Sequence, residues 1–399
     1  MTGTGAGRVS PKNPEGCGPL AGLRVVEIAS LAPGPFACMI LADLGAEVIR
    51  VDRVGDVPGL MSPSGVLDRG RRSIAVDLKS AAGREVVLKL VETADILIEG
   101  FRPGVAERIG IGPEDCAARN PGLIYGRMTG WGQDGPLAAA AGHDINYIGL
   151  SGALDLIGRA GERPLPPVNL LGDFGGGGML LVVGVLAALQ ERARSGTGQV
   201  VDAAMVDGSA LLTAFVHGMH AADLWDGERG TNLLDTGGAF YDTYECADGR
   251  YVAVGAVEPH FYAALLDRLG LTEDESAGPD ALPVQYDLDE AEVLRSRLAA
   301  VFVTKPRDEW AEIFAGSDAC VSPVLSPWEA HEHPHNRERA AFVEVGGIRQ
   351  PAPAPRFGRT PAAVPQPGSA CGADTTNVLR EVGYSAAEIE RLRGAGAID

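Results

Sequence analysis

The sequence predicts an α/β protein: a large doubly wound domain on a parallel sheet, followed by a smaller α+β domain. Three observations lead there. Short β-branched runs alternate with helical apolar patterns through the first third of the chain. Near Gly230 the pattern changes to paired, alternating strands. The 399 residues also exceed what a single hydrophobic core usually supports.

Leu23 opens the first domain. LRVVEIAS is β-branched and ends in small residues, the pattern of a buried parallel strand. LAPGPFACMILADLGA runs from a Pro/Gly loop into a helical apolar pattern, and VIRVDR is the next strand. Together they make a right-handed β-α-β unit. RSIAVDL (strand), SAAGREVVLKLVETA (helix, Ser80 its N-cap), DILIEG (strand), a helical stretch and LIYGRMTG (strand) repeat the scheme. The turn after the first strand reads SLAPGPFA rather than G-x-G-x-x-G. A nicotinamide or flavin therefore finds no phosphate cradle here, and redox chemistry is set aside.

In the second region, YDTYECADGRYVAVG reads as two strands joined by the turn Ala247-Asp248-Gly249-Arg250. EPHFYAALLDRLGL is a helix with Glu258 at its cap and Pro259 at the first helical position. The acidic segment after Thr272 reads as surface loop and helix. From Ser322 to Pro367 the chain is Pro-rich, an extended return connection, and an amphipathic helix is expected between Asn377 and Arg393. The resulting division is a disordered arm (1–17), a large α/β domain (18–225), a small α+β domain (226–325), and a return connection with a C-terminal helix packing on the large domain (326–399).

Composition narrows the function. A net charge of −19 repels nucleic acid and acidic membranes, so any anionic ligand must be met by a local basic patch. The six cysteines include no C-x-x-C pair and suit neither a zinc site nor a disulfide framework. Free thiols in a reducing, cytoplasmic compartment are expected. The N-terminal residues lack the apolar stretch of a signal peptide. The longest apolar stretch, Met179 to Leu189, is about half of the roughly 20 residues a membrane span needs, and reads as a buried core helix.

Three segments hold the candidate chemistry: GHDINY, LLGDFGGGG and GAVEPHFY. Asp173 precedes four glycines and an apolar helix, where it would cap that helix and leave N–H groups facing outward. Those N–H groups would favour a thioester oxygen becoming an enolate, while the glycines admit close approach. A plain capping Asp with glycines for tight packing explains the same pattern. His143 is the histidine in a polar, Gly-flanked setting. Tyr147, at i+4, shares its face if GHDINY is helical, whereas Asp144 points elsewhere and caps. Glu258 is a helix cap or, functionally, an acid that orients His143 and raises its basicity. His217 and His220 read as core or interface residues. His331, His333 and His335 read as surface loop, so no metal site is assigned.

Taken together, GPLAGLRVVEIASLAPGPFACMILADLGAEVIRVDR, NPGLIYGRMTGWGQDGPLAAAAGHDINY, PVNLLGDFGGGG and YDTYECADGRYVAVGAVEPHFY resemble the family III coenzyme A transferases, most closely their α-methylacyl-CoA racemase branch. The likeness runs from about Gly18 to near Arg359. It implies a large Rossmann-like domain, a small α+β domain and a homodimer whose chains interlace, with the active site between the large domain of one subunit and the small domain of the other. It further implies His143 and Asp173 as the acid/base pair, with Glu258 as the carboxylate beside the histidine. The substrate would be an acyl-CoA, and no metal or organic cofactor would be needed. Arg50, Arg53, Arg69, Arg71, Arg72, Lys79, Arg102 and Arg108 form a local basic cluster suited to phosphates. The resemblance implies Arg53, Lys79, Arg102 and Arg108, with Tyr147, as the coenzyme A contacts, whereas a solvated surface explains any single basic residue equally well. A transferase using Asp173 as nucleophile and a non-catalytic acyl-CoA-binding protein are the rival readings.

Overall fold

The computed structural model describes residues 18–55, 65–225, 227–271 and 281–399. The arm at 1–17 and most of the acidic segment after Thr272 lie outside the described residues. Two compact units divide the chain. The first comprises the described residues up to Ser151, then Val168–Leu211 and Arg337–Asp399; the second comprises Gly152–Pro167 and Leu212–Asn336.

The first unit is an α/β layer structure. Its strands are β1 (Arg24–Ile28), β2 (Glu47–Asp52), β3 (Arg71–Ala75), β4 (Ile96–Glu99), β5 (Ile124–Thr129) and β6 (Val200–Ala204). All pair in parallel, in the order β3-β2-β1-β4-β5-β6. Parallel pairing requires crossovers, and helices supply them: α1 (Pro33–Asp43), α2 (Ala81–Val91), α3 (Val105–Ile109), α4 (Pro113–Arg119), α5 (Asp144–Leu150) and α6 (Leu180–Ser195). Strands with apolar residues on both faces must be covered on both. Val25, Val48, Ile96 and Ile124 pack with α1 and α6 on one face. Val26, Ile49, Ile74 and Leu97 pack with α2 and the C-terminal helices on the other. The strand order reverses between β1 and β4, which makes the carboxyl ends of those two strands the place where an open α/β sheet receives a ligand.

Ser80 caps α2 as expected, its hydroxyl accepting the Gly83 N–H at 2.9 Å. Other expectations change. β6 is an added edge strand whose first residues are exposed or only half-buried. The helix expected at 377–393 is two helices, α13 (Thr375–Glu381) and α14 (Ala386–Gly394), parted by Gly383 at φ 99°. The apolar stretch at Met179–Leu189 is part of a continuous 26-residue helical run, Leu170–Ser195. By length and composition that run could cross a membrane. Nor is it wholly buried: Leu181, Val182, Val185 and Ala188 face inward, while Met179 and Val183 are exposed.

α7 (Met205–Leu212) and α8 (Ala214–Ala221) follow β6. The second unit is then built on β7 (Tyr241–Glu245), β8 (Tyr251–Gly255) and β9 (Val321–Pro323), an antiparallel sheet. The β7–β8 hairpin turns through Ala247–Arg250, with the Cys246 N–H donating to the Arg250 carbonyl at 2.8 Å. α9 (Pro259–Leu269), α10 (Ala291–Phe302) and α11 (Arg307–Phe314) cover the sheet around Phe240, Phe302 and Trp310. The Pro-rich return is less extended than expected. It holds α12 (Pro334–Glu338) and a hairpin of β10 (Phe342–Val345) with β11 (Ile348–Pro351).

Candidate active site

His143 is the N-cap of α5, in extended backbone. The Asn146 side chain accepts its N–H at 3.0 Å, and its carbonyl accepts the Asn146 and Tyr147 N–H groups. These bonds fix where the exposed imidazole leaves the helix.

Asp173 sits inside a π-helix, Leu170–Met179, that runs straight into α6. This corrects the capping role: the helix begins before Asp173, and its own N–H donates to Asp144 Oδ1 at 2.7 Å. The glycines after it are turns of the wide helix rather than a loop with outward-facing N–H groups. Wide π turns recur at functional sites because they re-aim a side chain out of the regular helical path. The Asn169 amide donates to Asp173 Oδ2 at 3.0 Å. Burial pushes the Asp173 carboxyl above the usual range. Asn169 draws it down, Asp144 pushes it up and His143 draws it down, and the net direction is up. Asp144, which accepts the Asp173 N–H, is the residue that follows His143.

Asp144 was expected to point elsewhere. Instead it is buried, and it bridges α5 to the π-helix through that 2.7 Å bond. Its Oδ2 is buried with no hydrogen-bond partner among the described residues. Sequence reasoning missed this role because a residue at the first helical turn is ordinarily a cap. Gly172 is the signal that bears on it: a Cβ there would lie 2.6 Å from Asp144 Oδ1. Tyr147 is also buried, edge-on to Trp131 at 4.8 Å between ring centroids. Burial and then Asp173 push its hydroxyl up, while Arg102 draws it down. His143, Asp144, Tyr147, Asp173 and Arg102 thus form one electrostatic neighbourhood in the first unit.

Glu258 belongs to the second unit. It holds the N-cap position of α9 through its backbone, its carbonyl accepting the Tyr262 N–H at 3.0 Å, but its carboxylate makes no capping bond and is exposed. The cap expectation holds for the position and not for the side chain.

The basic cluster separates into two groups. Arg69 is buried and bidentate to Asp43, at 3.0 and 2.5 Å. Arg71 is buried against Glu27 and Asp68. Arg72 bridges Glu47 and Glu381, each at 2.8 Å, and Arg50 pairs with Asp52 at 2.9 Å and Asp68 at 2.5 Å. These four guanidiniums are already paired with carboxylates of the protein, which leaves them less free to meet a phosphate. Arg53, Lys79, Arg102 and Arg108 are exposed. Arg53, Lys79 and Arg102 follow the carboxyl ends of β2, β3 and β4, and Arg108 lies on α3. An anion at the strand-order reversal would meet cations from this set.

The model of CoA-transferase family III matches residues 20–375. This chain belongs to that family. It is 49% identical over 376 residues to the alpha-methylacyl-CoA racemase of Mus musculus, covering 94% of this chain and 96% of the relative. Against the alpha-methylacyl-CoA racemase of Homo sapiens it is 45% identical over 384 residues, covering 95% and 97%. A CAIB/BAIF family protein from Brucella suis shares the fold at a TM-score of 0.79 and 27% identity, across 92% of this chain and 99% of the other. Membership accounts for the six-stranded parallel sheet.

Proposed function

We propose that the protein is an isomerase that racemises 2-methyl-branched acyl-CoA thioesters at the α-carbon. One observation carries the reading: the 2.7 Å bond from the Asp173 N–H to Asp144 ties the π-helix to the first turn of α5, whose N-cap is His143, so two acid/base residues stand on adjoining elements. The likeness to the mouse and human racemases supports it.

Racemisation needs one group on each face of a planar enolate. In one direction neutral His143 takes the α-proton, and the C–H electron pair moves into the enolate. Protonated Asp173 then delivers its proton to the opposite face. In the other direction ionised Asp173 is the base and protonated His143 the acid. An Asp that burial and a second carboxylate bias toward its acid form suits this exchange. Both half-reactions are proton transfers, so the reaction itself calls for no cofactor. The coenzyme A moiety belongs to the substrate, and Arg53, Lys79, Arg102 and Arg108 are its proposed phosphate partners. Glu258 is proposed to orient His143 across a homodimer whose chains interlace. Exposed Leu211, Leu212 and Phe215 are the kind of apolar surface such an assembly would cover.

A CoA transfer would use the same Asp173 differently, attacking the thioester carbonyl and expelling the CoA thiolate. That route makes no use of His143 as a second proton-transfer group. Incubating the protein with a 2-methylacyl-CoA and a carboxylate acceptor in D₂O separates the two. Racemisation predicts α-deuterium with no acyl exchange, slowed about 10²–10⁴-fold in His143→Ala. CoA passing to the acceptor without α-deuterium would overturn the reading.

A further inference from the structure

Glu99 ends β4, the strand that borders the reversal in strand order, and is only 2% exposed. The register places Glu99, Arg127 and Asp202 in one row across β4, β5 and β6. Arg127 is the cation of that row, and it is already engaged. It donates to Glu107 of α3 and, at 2.5 Å, to the Gln133 side chain, leaving its Nε 3.6 Å from Glu99 Oε1. Glu99 Oε2 accepts the Phe101 N–H at 2.6 Å, which pins the Gly100–Arg102 turn. The next residue is Arg102, the guanidinium that acts on Tyr147 beside Asp173. From the other side of the row, Asp202 accepts the Gln133 N–H at 3.1 Å and steadies the β5 exit loop, which carries Trp131 against Tyr147.

We propose that Glu99 is a positioning residue for the acyl-CoA site: ionised, it holds the Gly100–Arg102 turn so that Arg102 faces the ligand, and on taking up a proton it loosens that hold. The proposal rests on the acyl-CoA reading above. A charge-assisted bond to an amide is about twice as strong as a neutral one, so the two protonation states hold the turn unequally. The groups facing Glu99 are Arg127 and Tyr125 on β5, Glu107 on α3 and Asp202 on β6: one cation, two carboxylates and a phenol. Burial pushes Glu99 up to about 7, opposed by the Phe101 amide and Arg127 and reinforced by Glu107 and Asp202. The transition therefore falls near neutral pH.

The test compares wild type, Glu99→Gln and Arg102→Ala between pH 6 and 8.5, by calorimetric titration with acetyl-CoA. Wild-type affinity should fall about fivefold as pH drops through 7. Glu99→Gln, which keeps the acceptor oxygen but cannot ionise, should be weaker and flat, and Arg102→Ala should also lose the pH dependence. The ligand's own phosphate titrates near pH 6, so the difference between proteins is what counts. Hydrogen exchange of the peptide carrying Phe101, without ligand, supplies a second readout. Corrected for intrinsic chemistry, its protection should fall through pH 7 in wild type only. Thermal stability should be higher in Glu99→Gln than in wild type at pH 8, since a buried carboxylate with a raised pKa destabilises the fold once ionised. The wild-type pH dependence persisting in Glu99→Gln, or equal Phe101 protection in the two proteins at pH 8, overturns the proposal. A turn that loosens as expected in a protein that binds no acetyl-CoA would instead overturn the acyl-CoA reading.

Discussion

Asp144 puts a second carboxylate beside Asp173 while holding the Asp173 backbone at 2.7 Å. A negative charge on Asp144 makes it harder for Asp173 to ionise, which favours the acid form that one direction of racemisation requires. Asp144→Asn keeps an acceptor for the Asp173 N–H and removes the charge. The predicted result is a pH–rate limb for Asp173 that moves to lower pH, because Asp173 then ionises more easily. A profile that does not move would remove Asp144 from the electrostatics of the site. His143 and Asp173 were legible as candidates because each is a polar residue next to glycine, and Glu258 because it stands before Pro259 at a helix start. Asp144 was not legible, because its partner is 29 residues away and only the fold brings them together. The basic cluster misled for the same reason: sequence shows the charge of Arg69 and Arg71 but not their partners, Asp43 at the end of α1 and Glu27 on β1.

The π-helix is where local pattern and observed element part most clearly. LLGDFGGGG looks like a loop because glycine disfavours helix interiors by about 1 kcal/mol relative to alanine. Here the neighbouring chain repays that cost. Gly172 leaves room for the Asp144 carboxylate, and a Cβ at Gly176 would lie 2.6 Å from the Ser209 backbone nitrogen. Gly172→Ala should therefore displace Asp144, destabilise the protein by about 1–3 kcal/mol in denaturant melts, and slow α-proton exchange. Unchanged melting and exchange would show that the close approach is dispensable. Strands β1, β2 and β4 were readable because their β-branched residues form short runs buried on both faces. β6 escaped because an edge strand of five residues, VVDAA, carries an aspartate in its middle. Gly383 hid the break between α13 and α14, since an apolar stripe can continue through a turn that reverses the backbone.

At the scale of the molecule, a net charge of −19 sets a repulsive background for a polyanionic ligand. The protein answers by pairing the guanidiniums Arg50, Arg69, Arg71 and Arg72 internally and leaving Arg53, Lys79, Arg102 and Arg108 exposed. Three of those four lie where the strands end, the edge a doubly wound sheet offers to ligands. The proposed chemistry then depends on His143 and Asp173 serving opposite faces of one enolate. The most direct test starts from each pure enantiomer of a 2-methylacyl-CoA in D₂O, following α-deuterium by mass spectrometry and configuration by chiral chromatography. The account predicts deuterium at the α-carbon and convergence of both samples on equal enantiomers, lost in Asp173→Ala. Retention of configuration without deuterium from both enantiomers would contradict it.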